Sequence, residues 1–79
     1  MEITPEMVKA EGKNAGKSYR RSMNQHLKDS NVQIRMGMLV EICRGHFYVA
    51  CKDRNIEENY DNYQAFFDGY LEGWNSESK

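Results

Sequence analysis

The run Val-Gln-Ile-Arg-Met-Gly-Met-Leu-Val-Glu-Ile-Cys-Arg-Gly-His-Phe-Tyr-Val-Ala-Cys-Lys, residues 32–52, constrains the fold more than any other part of the chain. Val32, Ile34, Met36, Met38, Val40 and Ile42 alternate with Gln33, Arg35, Gly37, Leu39 and Glu41, the period of two that suits a half-buried antiparallel strand. Arg44-Gly45 then reads as a turn, and residues 46–52 supply the partner strand. A two-residue loop sets Ile42 against Phe47, Val40 against Val49 and Met38 against Cys51, which keeps one face apolar. A three-residue loop with a glycine bulge would instead set Ile42 opposite His46 and Val40 opposite Tyr48, so the first register is preferred.

The segments on either side have helical period. Thr4 can cap a helix, Pro5 suits its first position and Glu6 suits its positive end, predicting a helix over about residues 5–27. One face of that helix carries Val8, Gly12, Ala15, Tyr19, Met23 and His26. An adjoining face carries Lys9, Lys13, Lys17, Arg20, Arg21 and Lys28. Gly12 and Gly16 each lower helix propensity by roughly 1 kcal/mol, so with Ala15 they point to close approach of the hairpin or of a second helix. Asp29-Ser30-Asn31 reads as a loop.

After the hairpin, Asn55 with Glu58 resembles a capping box, and Ile56, Tyr60, Tyr63, Phe67, Tyr70, Leu71 and Trp74 recur at steps of three and four. A second helix is expected over about residues 56–74, acidic on its far side at Glu57, Glu58, Asp61, Asp68 and Glu72, with residues 75–79 as a frayed tail. The expectation is therefore one small α+β domain over residues 1–79, of order α-β-β-α, with two helices packed on one face of an antiparallel β-hairpin. The first strand is longer than its mate, and its unmatched edge predicts a homodimer or an added strand from a partner.

Charge limits the partners. The net charge is −1, yet residues 1–52 hold nine Lys/Arg against five Asp/Glu, and residues 53–79 hold two against seven. Such a dipole bears on association rather than on fold. Two cysteines are too few for a secreted disulfide scaffold, and the chain opens on a methionine with no signal peptide or membrane span, so a cytoplasmic protein is expected.

Several chemical motifs fail on inspection. Gly12-Lys-Asn-Ala-Gly-Lys-Ser18 resembles a phosphate loop, but Glu11 stands where the first glycine belongs and no strand precedes it. Cys43, His46 and Cys51 are soft ligands, but the hairpin register spreads them along the ladder and places a Cys43–Cys51 bridge out of reach. Neither metal nor cofactor is expected, and no acid–base pair groups as in an enzyme. What remains is a small non-enzymatic binding or regulatory protein that contacts another protein, in the manner of an accessory or virus-encoded modulator or inhibitor. The expected contact residues are Lys9, Lys13, Lys17, Arg20, Arg21, Arg35, Tyr48 and Phe66, the two aromatics as exposed anchors. The alternative is a nucleic-acid-binding regulator that uses the basic face of the first helix.

Overall fold

The computed structural model describes residues 3–26 and 36–77, and these form three helices with no strand among them. They are α1 (Pro5–His26), α2 (Met36–Arg54) and α3 (Tyr60–Ser76). The start of α1 is as expected: the Met7 N–H donates to Thr4 Oγ1 at 3.3 Å, and the Val8 N–H to the Thr4 carbonyl at 3.2 Å.

Two pairs of glycines hold α1 against α3. A Cβ on Gly12 would collide with the Phe66 carbonyl oxygen, and one on Gly16 with that of Tyr70. From the other side, a Cβ on Gly69 would strike the Lys9 carbonyl and one on Gly73 that of Lys13. The contacts are reciprocal and lie one helical turn apart, so backbone meets backbone over two turns. In each case a glycine Cα–H occupies that direction and points at a carbonyl, a weak attraction of about 0.5–1 kcal/mol. Residue numbers rise together along the crossing, from Gly12 at Phe66 to Gly16 at Tyr70, which makes α1 and α3 parallel. Of the two neighbours expected for Gly12 and Gly16, the second helix is the one present.

α2 runs back alongside this pair. Arg54 pairs with Glu11 near one end of α1, and His46 meets Tyr19 farther along it, so α2 is antiparallel to α1. Large side chains separate α2 from the glycine-paired helices. Leu39, Cys43, Phe47 and Cys51, at steps of four, are buried against Val8, Ile56, Phe66, Tyr70 and Trp74. The Phe47 ring lies 5.3 Å from Tyr63 and 5.5 Å from Phe66, and Tyr19 stacks on Trp74 at 5.8 Å. Each such side chain, fully buried, contributes roughly 1.5–3 kcal/mol.

The β-hairpin is thus overturned, and the α+β class with it. Residues 36–54 carry a helical period in their buried positions, which the apolar residues Met38, Val40 and Ile42, exposed or only partly buried, make look like alternation. Gly45, read as a turn, lies in mid-helix. Residues 27–35, including the expected loop, Arg35 and the start of the first strand, lie outside the described residues. The last helix begins at Tyr60 rather than 56, because Asn55 ends α2 instead of starting α3. Asn55 has φ 57°, and the following Ile56 N–H donates to the Cys51 carbonyl at 3.1 Å. That is a Schellman end, with Ile56 and Cys51 both buried beside it. Asn59 caps α3, accepting the Asn62 N–H on its side chain at 2.8 Å. The expected frayed tail is helical through Ser76, and Glu77 is tied to Arg21 and Asn24.

Gly12→Ala and Gly69→Ala should each destabilise the fold by about 1–3 kcal/mol or more, since neither helix can yield without opening the crossing. Gly37→Ala, whose Cβ meets nothing within 4 Å, should be neutral or stabilising by up to roughly 1 kcal/mol. Chemical denaturation of the three variants measures the contrast. Equal effects would mean the crossing tolerates a methyl. Asn59→Ala should cost about 1 kcal/mol through loss of the cap, read in the same assay.

Candidate functional site

The outward side of α2 has the composition of a contact surface. Met38 is 57% exposed, Val49 56% and Tyr48 50%, and Ile42 is half-buried between them. Met38, Ile42, Gly45 and Val49 follow one another at steps of four, three and four, so they line up along one side of the helix. Gly45 lies in the middle of that line with nothing within 4 Å of where its Cβ would be. On the flank, Lys52 Nζ sits 4.7 Å from the centre of the Tyr48 ring, and Arg44 pairs with Glu41 at 3.8 Å. Beside Tyr48 an open hollow of about 540 Å³ runs to the N-terminus of α3, walled by Arg44, Phe47, Asn59, Tyr60 and Tyr63. Tyr60 at its rim is 75% exposed. Tyrosine and arginine around such a hollow are the residue types that dominate protein interfaces.

Most of the expected basic ridge is engaged inside the molecule. Lys9 Nζ lies 3.1 Å and Lys13 Nζ 3.8 Å from the Glu72 carboxylate of α3. The Lys9 hydrogen bond and charge, with Lys13 behind them, hold the Glu72 carboxyl below its ordinary pKa. Arg21 binds Glu77 at 2.8 Å. Arg20 lies 4.6 Å over the Trp74 ring and donates to Asn24 at 3.2 Å, and Lys17 is half-buried beside Gly73 at the helix crossing. Arg35 lies outside the described residues. Tyr48 is exposed as expected, but Phe66 is fully buried: it faces α1 and Phe47 because the glycine crossing turns that side of α3 inward.

A second hollow, of about 520 Å³, lies between α1 and α2, with Asn14, Ser18, Tyr19, His46 and Asp53 in its wall. The His46 ring touches Tyr19 at 5.3 Å and Tyr70 at 5.4 Å, and its Nδ1 is buried without a hydrogen-bond partner among the described residues. Burial lowers the His46 pKa and pushes the Cys43 thiol up to about 12. The Cys51 thiol is also raised, by burial and then by the charge of Glu58. Both cysteines are free and buried, held in the protonated form that is a poor nucleophile and a poor metal ligand. Among the described residues no three His, Cys, Asp or Glu side chains converge on a point where a metal could sit.

The outward stripe of α2 escapes sequence reasoning because residues 32–52 read as a hairpin, and Tyr60 with the hollow beside it because Tyr60 falls in the apolar row of the last helix. The available signal was Leu39, Cys43, Phe47 and Cys51 at constant steps of four. No protein-family model matches the chain, and neither a curated protein nor a solved structure matches it.

The titration of His46 gives a pH test. Its folded pKa is below the ordinary 6.5, so as pH falls through that value the unfolded chain binds more protons than the folded one. Stability is complete above that point and is lost as pH falls below it. Glu72, depressed from its ordinary 4.5, adds its own loss only at lower pH. His46→Phe, which keeps a ring against Tyr19 and Tyr70, should flatten the melting temperature between about pH 7 and 5. Parallel curves for the two proteins would show that burial of His46 is not the source.

Proposed function

We propose that this chain is a small non-enzymatic binding and regulatory protein that docks another protein on the outward face of α2 and the Tyr48–Tyr60 hollow. The observation that carries the reading is the run of apolar side chains left on the solvent side of α2, three of them at least half exposed, beside an aromatic-rimmed hollow. Such patches on small folded domains mark interaction sites. Burial drives both thiols towards their protonated form, which supports a reading without thiol chemistry. Two free, buried thiols fit a reducing, cytoplasmic setting. Among the described residues no helix is long and apolar enough to cross a membrane. Nucleic-acid binding is the weaker reading, because Lys9 and Lys13 are already paired with Glu72 of α3 and Arg21 with Glu77 just past its end.

A protein of this kind acts as an accessory modulator or inhibitor by occupying a surface of a larger assembly. The test is affinity capture from the native host with the wild type and with Tyr48→Ser/Tyr60→Ser. Loss of two interface anchors of about 2 kcal/mol each should lower capture more than tenfold. Nuclease treatment should leave wild-type capture unchanged. Equal capture by both proteins, or capture abolished by nuclease, would refute the reading.

A further inference from the structure

We infer that the outward stripe of α2 binds a second copy of this chain, the two α2 helices pairing antiparallel so that Ile42 of each lies over Gly45 of the other. This rests on the reading of that face as a protein-docking surface and assigns its stripe to a second copy, leaving the Tyr48–Tyr60 hollow to the other protein.

The first argument concerns the glycines. The chain has six, and Gly12, Gly16, Gly69 and Gly73 each meet the backbone of a neighbouring helix. Gly37 lies in the first turn of α2, where a helix tolerates it. Gly45 is the exception: mid-helix, roughly 1 kcal/mol worse than alanine there, and facing open space. In this fold an interior helical glycine is the place where another helix comes close. A second helix against α2 gives Gly45 the neighbour that the other four have within the chain.

The second argument is symmetry. Met38, Ile42, Gly45 and Val49 have the spacing four, three, four, which reads the same in both directions. An antiparallel copy centred between Cys43 and Arg44 therefore sets Met38 against Val49 and Ile42 against Gly45, twice over. Each pairing places a larger side chain against a smaller one, as an isologous two-fold contact needs. A bulky β-branched Ile42 fills the notch left by the missing side chain at Gly45.

Charge agrees with the same register. In an antiparallel pair the same flank of each helix faces its counterpart, here the flank of Glu41, Tyr48 and Lys52. Lys52 leans back over the Tyr48 ring, so its ammonium is carried about one turn towards the dyad. There it lies close to the level of Glu41 on the other copy, giving two symmetric opposite-charge contacts. Arg44 projects away from the stripe, so the two copies of it near the dyad do not face each other.

Light scattering on size-exclusion fractions of the full chain at micromolar concentration should give the dimer mass. Gly45→Leu should return the monomer, and Gly45→Ala should weaken association at least tenfold. In both variants the melting temperature, measured at a dilution where the wild type is monomeric, should equal or exceed the wild-type value, which separates lost pairing from lost folding. The register is read by oxidising a mixture of Met38→Cys and Val49→Cys chains. The antiparallel pair predicts the mixed disulfide, whereas a Val49→Cys chain linked to its own kind would mean parallel packing and would overturn the proposal. So would a monomer at every concentration, or a dimer indifferent to Gly45→Leu. If the wild type is monomeric yet capture still depends on Tyr48 and Tyr60, the docking reading stands with a different partner. If both measurements fail, both readings fall.

Discussion

The close backbone crossing of α1 and α3 is the contact on which the remaining structure depends. Gly12, Gly16, Gly69 and Gly73 let carbonyl oxygens of one helix lie where side chains of the other would begin. No larger residue can substitute there without separating the helices, because the obstructing atoms are backbone and cannot rotate away. The approach leaves no room for bulk between these two helices. Phe66, Tyr70 and Trp74 are accordingly directed to the edge of the crossing, where α2 lays Phe47, Cys43 and His46 against them.

The crossing also settles the electrostatics. It brings the basic side of α1 within reach of the acidic side of α3, so Lys9 and Lys13 meet Glu72, and Arg21 meets Glu77. Exposed ion pairs of this kind contribute little to stability individually. Their consequence is for recognition: three cations of α1 are matched within the chain by Glu72 and Glu77. An outside polyanion finds fewer free cations than the sequence promises.

α2 is the element in which the core and the proposed docking face meet. Its inward positions complete the core at steps of four, while on its other side Met38 and Val49 stay more than half exposed and Ile42 between them is only partly covered by the core. A helix that is apolar on two sides loses the clear amphipathic period of a surface helix. The same ambiguity that makes residues 36–42 resemble a strand makes the outward face suited to docking. The strand-like pattern and the proposed docking face have one physical cause.

Much of the outer architecture was legible in the residues. The start of α1 at Thr4 and Pro5, the apolar row that holds Ile56, Tyr63, Phe67, Tyr70 and Trp74, and close approach at Gly12 and Gly16 follow from local capping, periodicity and steric rules that act over a few neighbours. The identity of α2 did not follow, because a short apolar run satisfies either period and only its partners decide between them. Nor did the roles of Asn55 and Phe66. An asparagine can cap a helix at either end, and which flank of an aromatic helix is buried depends on where its neighbour crosses. Local chemistry determined where helices begin and where backbones can touch. Tertiary structure alone decided which cations are neutralised and which face of α2 is left open, since both depend on residues more than fifty positions apart being brought together by the glycine crossing.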